Sequence, residues 1–242
     1  MSDARGVALV TGASSGIGRA ISEALASRGM QLVLCGRDPG RLSEVAAALR
    51  TAAPPVTVAV DLAGEGAAER IARRIDEMGR LDVLVHAAGV LRLGRLTDTA
   101  EHLDELYRIN LRAPVLLTAA LLPALRAARG QVVFVNSSAV TAPGAVNGLY
   151  AATKAGLLAF ANALRQEVNQ DGIRVLSVFA GRTATAMART VSAFEGSRYE
   201  AEQLLQPADV ARAVADALAL PDTAELMDLT IRPMHKPLER AK

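Results

Sequence analysis

Tyr150 and Lys154, in the segment LYAATKAG, stand at i and i+4 of a predicted helix, so their side chains leave one face about one turn apart. A phenol titrates near about 10 in water, and an ammonium beside it favours the phenolate, which brings a proton donor toward working pH. Together the two could exchange a proton with a reacting oxygen. A solvated helix can carry the same pair without any chemistry, so its meaning depends on what surrounds it.

A second group lies close to the N-terminus. Thr11-Gly12-Ala13-Ser14-Ser15-Gly16-Ile17-Gly18 follows an apolar run at 7–10 and opens a helical pattern that continues to about Arg28. A Cβ on such glycines would obstruct both the tight turn and the approach of a phosphate to N–H groups at a helix N-terminus. The loop reads as a dinucleotide cradle or as a plain strand-to-helix turn. Its spacing, G-x-x-x-G-x-G, is not G-x-G-x-x-G, and Arg19 follows Gly18 where a P-loop needs Lys and then Ser or Thr. A P-loop triphosphatase is therefore excluded. Metal binding is not expected, because His86, His102 and His235 lack ligand spacing; His86 reads as structural. The single cysteine, Cys35, has no activating pattern and reads as apolar filler. Asn110, in YRINLRAP, is unfavourable inside a helix and asks for a functional or kinking reason.

With these motifs in order, the chain resembles the short-chain dehydrogenase/reductase family in its single-domain form. The glycine loop meets the family's T-G-x-x-x-G-I-G at every fixed position. Further landmarks follow in sequence: Asp61 and Leu62 after the third strand, Ala87-Ala88-Gly89 after the fourth, Asn110, Ser137 after the fifth, Tyr150-x-x-x-Lys154, and Ala180-Gly181 after the sixth. The resemblance implies an oxidoreductase that transfers hydride between a nicotinamide cofactor and a carbonyl or alcohol. In that scheme Tyr150 gives its proton to the carbonyl oxygen, and Lys154 also binds the nicotinamide ribose. Ser137, at the family's separation of thirteen residues before Tyr150, hydrogen-bonds the reacting oxygen, and the Asn110 carbonyl holds a water linked to Lys154. Ser138 is the alternative to Ser137, and either serine could instead serve a cap or turn. The implied cofactor contacts are Gly12, Ser14, Ser15, Gly16, Ile17, Gly18, Arg37, Asp61, Leu62, Ala87, Ala88, Gly89, Tyr150, Lys154, Gly181, Thr183 and Thr185.

The end of the second strand distinguishes NAD from NADP, since a carboxylate there grips a free 2′-hydroxyl and repels a 2′-phosphate. Here the residues are Cys35-Gly36-Arg37, with Gly36 where NAD-preferring relatives usually carry Asp, and Arg37 offers a planar fork suited to phosphate. NADP(H) is the expected cofactor. Asp38 turning inward would weaken that reading, as would Arg37 serving only as a solvated loop charge. Two departures from the family pattern stand out: His86-Ala87 replaces a pair of asparagines, and Ala180 replaces a proline.

Elements in the right order must carry these groups. Apolar runs at 7–10, 32–35, 56–60, 81–85, 132–135, 174–179 and 227–231 lack polar alternation, as strands buried on both faces do. Helical patterns beginning near Ile17, Asp38, Gly64, Asp98, Leu149 and Pro207 separate them. The expected fold class is α/β, a doubly wound parallel sheet of Rossmann type with about seven strands and helices on both faces, in one domain spanning 1–242. Asp38 with Pro39 predicts an N-cap followed by Pro at N1, and Asp98 with Glu101 predicts a capping box. The segment 182–206 has no place in the alternation and is expected to form an irregular lid. Pocket walls are expected from Val90, Leu91, Leu93, Val140, Ala145, Val146, Met187, Val191 and Phe194, with Arg92, Arg95 and Arg182 as the nearby charges. A small, largely apolar carbonyl or alcohol is the expected substrate.

Composition narrows the remaining classes. A chain of 242 residues with 51% hydrophobic content can bury one large core. Lys+Arg (27) and Asp+Glu (25) nearly balance and are spread along the chain, which points away from nucleic acid and anionic membranes. No apolar stretch is expected to reach the roughly 18–20 residues of a membrane span. One cysteine suits a reducing compartment, and a cytoplasmic protein is expected. The segments 111–125 and 151–164 are apolar around more of the helix than a core-facing stripe needs, with small residues at Ala119, Ala120, Ala152, Ala155, Gly156 and Ala159. They predict a homo-oligomer, a tetramer or dimer, with self-complementary interfaces. A non-catalytic cofactor-binding scaffold is the rival class; family members of that kind typically lose the Tyr or the Lys. An epimerase or dehydratase on the extended fold would need an added substrate domain, for which this length is not expected to leave room.

Overall fold

Successive side chains of a strand face opposite sides of its sheet, and here both sides are apolar. In β1 (Val7–Thr11), Ala8 and Val10 enter one core while Val7 and Leu9 enter the other. The same division runs through β2 (Gln31–Gly36), β3 (Val56–Ala59), β4 (Val83–His86), β5 (Gln131–Ser137) and β6 (Arg174–Ala180), and β7 (Asp228–Ile231) closes the far edge. In the computed structural model, which describes residues 6–234, these strands form one parallel sheet in the order β3-β2-β1-β4-β5-β6-β7. Residues 1–5, His235 and the rest of the tail to Lys242 lie outside the described residues.

Helices cover both faces. On one side α1 (Gly16–Ser27), α2 (Pro39–Ala48) and α9 (Pro207–Leu218) bury Ile21, Leu25, Leu42, Val45, Val210 and Val214. On the other, α3 (Ala67–Met78), α6 (Ala113–Ala128) and α7 (Gly148–Val168) bury Ile71, Ile75, Leu117, Leu121, Leu125, Leu157 and Leu164. The strand order reverses between β1 and β4, so the connections leaving their carboxyl ends diverge and open a crevice. The expected doubly wound fold is the one observed.

Several local expectations need correction. The helix expected from Gly64 begins at Ala67, because Asp61 organises a turn first: its side chain accepts from Ala63 N (3.0 Å) and its carbonyl from Gly64 N (3.0 Å). Asp98 does not cap a helix with Glu101. It is the third residue of α4 (Leu96–Thr99), where its carboxylate accepts from the N–H of the true N-cap, Arg95, at 3.2 Å. Beyond α4 the helical path continues through α5 (Leu103–Tyr107) and a π turn at Arg108–Arg112 into α6. This run, Leu96–Ala128, is long and apolar enough to cross a membrane by length and composition, contrary to expectation. Its inner face nevertheless packs into the core through Leu106, Leu117, Leu121 and Leu125. The segment 182–206 is not irregular either: it holds α8 (Ala186–Phe194), and a bridge between Thr183 and Leu205 ties its two ends together. The N-cap expected at Asp38, with Pro39 at N1, is present.

Candidate active site

The Thr11 hydroxyl joins the two central strands. It donates to Val85 O (3.2 Å) and accepts from Ala87 N (3.1 Å) and Ala88 N (3.2 Å), so the loop after β1 is pulled against the loop after β4. That closeness explains Gly12: its φ is +67°, and a Cβ there would stand 2.8 Å from Ala88 N. A Cβ on Gly18 would overlap the Gly12 carbonyl. Ser15, extended at φ −164°, is the N-cap of α1, and its side chain makes no capping bond. The N-terminus of α1 therefore opens on a cleft of about 550 Å³. Every residue singled out from the sequence as a cofactor contact lines that cleft, from Gly12 to Thr185. Ser137, Tyr150 and Lys154 line it too.

Tyr150 and Lys154 are both buried, on the face of α7 turned toward β5. The Lys154 ammonium stands 6.0 Å from the centre of the Tyr150 ring and donates to Val135 O at 2.9 Å. Burial brings the ammonium down to about 8. Burial also dominates the phenol and raises it above its ordinary value, while a hydrogen bond with Ser137 pulls partly the other way. The expectation that Lys154 would draw the phenol downward is thus reversed here by desolvation. Ser137 rather than Ser138 is the serine engaged with Tyr150, and its hydroxyl also accepts from Ala139 N at 3.1 Å.

Asn110 is fully buried and does not line the cleft. Its amide donates to Val90 O (2.9 Å) and Thr153 Oγ1 (3.2 Å), and its carbonyl oxygen accepts from Val90 N (2.8 Å). These bonds fasten the loop after β4 to α7 across the π turn, which accounts for a helix-breaking residue at this point. Gly89 sits close against this arrangement, since a Cβ would lie 3.3 Å from Asn110 Oδ1 and 3.6 Å from Lys154 Nζ. Two contributors escaped the sequence reading. Thr11 was hidden as a motif letter, and Asn136 was passed over although a buried Asn is out of place in an apolar strand. The Asn136 amide donates to Lys154 O (3.2 Å), and its oxygen accepts from Ser137 N (2.9 Å), so one side chain spans β5 and α7.

At the end of β2, Arg37 is exposed and lines the cleft. Gly36 leaves room beside it, with Ser14 Oγ 3.4 Å from where a Cβ would stand. Asp38 does not turn inward; its carboxylate accepts from Arg41 N (3.1 Å) and pairs with the Arg41 guanidinium at 3.6 Å. His86 is structural, as expected: it stacks on Phe134 with centroids 4.9 Å apart, and Nε2 meets Thr118 Oγ1 at 2.8 Å. Burial foremost, and then the Lys154 charge, hold its imidazole down to about 3. Cys35 is buried with its thiol pushed up to about 12, which makes it inert filler.

The opposite end of the cleft is walled by Leu91, Leu93, Val146, Met187, Val191 and Phe194, as expected, with Ala139 and Ala142 in the places foreseen for Val140 and Ala145. Of the three arginines, Arg92 pairs with Glu105 (2.8 Å), Arg95 caps α4, and neither lines the cleft. Arg182 does line it, engaged with Glu195.

A doubly wound parallel sheet with a glycine cradle at its switch point and a Ser, Tyr and Lys group across the same crevice defines a dinucleotide-binding class of α/β protein. The sequence profile described as "short chain dehydrogenase" matches residues 6–196, and the chain belongs to this family of oxidoreductases. It is 37% identical to an uncharacterized short-chain type dehydrogenase/reductase of Sinorhizobium fredii, covering 94% of this chain and 91% of the relative. Among solved structures, a metagenomic short-chain oxidoreductase in complex with NADP is 33% identical, with a TM-score of 0.80 over 96% of this chain and 98% of the other. An alcohol dehydrogenase from the archaeon Thermococcus sibiricus, complexed with 5-hydroxy-NADP, is 26% identical, with a TM-score of 0.87 over 97% and 99%.

Proposed function

We propose that the protein is an NADP(H)-dependent oxidoreductase that interconverts a carbonyl and an alcohol, with Tyr150 as its acid/base. The observation that carries this reading is the convergence of Ser137, Tyr150 and Lys154 on one cleft whose other end is the glycine loop. A dinucleotide fits the residues present. Gly12 and Gly18 let the loop fold tightly against Ala88 and against its own backbone, and the N-terminus of α1 lines the cleft without a side-chain cap. Arg37 would meet a 2′-phosphate, a choice supported by the two related structures that hold NADP or its derivative. Asp61, Leu62 and Ala87-Ala88-Gly89 would hold the adenosine side, and Lys154, Gly181, Thr183 and Thr185 the nicotinamide side.

Bound there, the nicotinamide supplies or accepts a hydride. The chain's own contribution is proton management. Burial favours the neutral phenol of Tyr150, which is the form that reduction consumes when its proton passes to the carbonyl oxygen. The Ser137 hydroxyl hydrogen-bonds the same oxygen and holds it against the phenol. Lys154 then stabilises the phenolate left behind, and Asn110 and Asn136 keep its helix in register with β5 and the β4 loop. Leu91, Leu93, Val146 and Phe194 exclude water from the reacting end.

A homo-oligomer and a cytoplasmic setting belong to the same proposal. Leu103, Tyr107 and Leu116 are exposed along one outer stretch, together with Ala119, Ala152, Ala155 and Ala159. Gly156 also packs within the chain, where a Cβ would come 2.9 Å from Leu111 Cδ2. Light scattering that gives a stable monomer of 25.3 kDa would reject the oligomer. The enzymatic reading is tested by following the nicotinamide absorbance band across a panel of ketones, aldehydes and secondary alcohols. Turnover with NADPH is expected, and binding of NADPH without turnover of any member would leave the scaffold reading.

A further inference from the structure

Among the described residues, five charged side chains line the cleft. Arg37 and Asp61 follow β2 and β3, at the end formed by the glycine loop, and Lys154 is buried with its ammonium bonded to Val135 O. The remaining two, Arg182 after β6 and Glu195 at the end of α8, face each other among the apolar walls formed by Met187, Val191 and Phe194. They meet as a fork, Nη1 to Oε2 at 2.8 Å and Nη2 to Oε1 at 2.6 Å, with 32% and 41% of the two side chains accessible to solvent. The arginine is fixed at its root as well. Its carbonyl accepts from Leu205 N (3.1 Å), and the next residue, Thr183, bridges to Leu205.

An arginine held in this way does not offer its fork to a ligand. A carboxylate entering the pocket would have to displace Glu195, which would then lose its two charged hydrogen bonds and return to water at the rim of the apolar wall. A neutral carbonyl compound incurs no such loss. We infer that the Arg182–Glu195 pair is a specificity-determining element that keeps the substrate end electrically neutral, so that uncharged, largely apolar carbonyls and alcohols are accepted and anionic ones are turned away. Repulsion of the wrong ligand, rather than attraction of the right one, sets the preference. The inference rests on the carbonyl reductase reading above.

Three aromatic aldehydes test it: benzaldehyde, methyl 4-formylbenzoate, and 4-formylbenzoate, the last two differing mainly in charge. The parent protein should favour the methyl ester over the carboxylate by roughly two- to fivefold in kcat/KM, the scale of a solvent-accessible ion pair. Glu195→Gln frees the arginine while keeping the size of the side chain, and should abolish that preference. Adding Arg182→Met to it should restore discrimination. A parent protein that prefers 4-formylbenzoate, or a ratio that Glu195→Gln leaves where it was, would overturn the inference. Binding of benzoate and of benzamide to the NADPH complex, read as a shift in melting temperature, separates this failure from failure of the reading beneath it. If no aldehyde is turned over but Glu195→Gln gains stabilisation by benzoate and not by benzamide, the neutral pocket stands and the reductase reading falls. If no aldehyde is turned over and benzoate gains nothing, both fall.

Discussion

The two ends of the cleft are shaped by opposite means. At the glycine-loop end the wall is backbone, and Gly12, Gly16 and Gly18 matter for side chains they lack, two of them at φ of +67° and +53°. At the other end the wall is made of side chains held by partners distant in sequence: Arg182 by Glu195, and the two ends of the α8 segment by Thr183 and Leu205. The first kind of wall tolerates almost no substitution and serves a ligand of fixed shape. The second can be rebuilt by exchanging a few residues, and suits the part of the site where substrates differ. Between them lie Ser137, Tyr150 and Lys154, which depend on both.

Tyr150→Phe should break the comparison most sharply, because it leaves both walls standing and removes only the proton. A loss of about two to three decades in kcat is expected, with NADPH binding retained in fluorescence titration. Turnover within about tenfold of the parent would move the acid/base role elsewhere. Arg37→Ala should act on the glycine-loop end alone, weakening NADPH by about 1.5–3 kcal/mol while NADH changes little. An equal loss for both cofactors would make Arg37 a structural residue. Gly12→Ala probes the wall itself. The strain at φ +67° and the clash with Ala88 N should lower stability by about 1–3 kcal/mol in denaturant unfolding, whereas Ala→Gly at Ala142, on the other wall, should have a far smaller effect.

Stability should also depend on pH. Burial lowers the folded-state pKa of Lys154 to about 8 from 10.5, so between those values the unfolded chain binds more protons than the folded one. The penalty for burying the ammonium is full below about 8, and stability should rise as pH climbs from 8 toward 10.5. Lys154→Met should flatten that rise in unfolding curves recorded across the window. A rise of the same slope in the variant would assign it to another group.

This contrast also explains what could be read from the sequence. The order of strands and helices, the glycine loop and the Tyr150–Lys154 spacing are local patterns, and local patterns survive in a linear string. The burial that reverses the expected shift of Tyr150 arises only when α7 packs on β5. Asn110 looked like a helix anomaly because its three partners, the Val90 N–H, the Val90 carbonyl and Thr153, lie twenty or more residues away. Asp98 was misread because a side chain three residues inside a helix and one at its cap offer the same letters, and only the position of Arg95 separates them. The α8 segment carries a weak sequence signature because it is only nine residues long and Thr185 caps it with a single hydroxyl, accepting from Ala188 N at 3.4 Å.

The place of β1 has a consequence for how the molecule comes together in time. β1 lies in the interior of the sheet between β2 and β4, yet β4 is some 75 residues farther along, as the bond from Val7 N to Asp82 Oδ2 (2.7 Å, a separation of 75) records. Contacts closed over such spans form late and slowly. The apolar run at Val7–Thr11 therefore emerges well before its second partner and waits for it. Refolding should be slow for a chain of this length and prone to aggregation at high concentration, with the Thr11 bonds to the β4 loop among the last to close and the cleft assembled only at that final step.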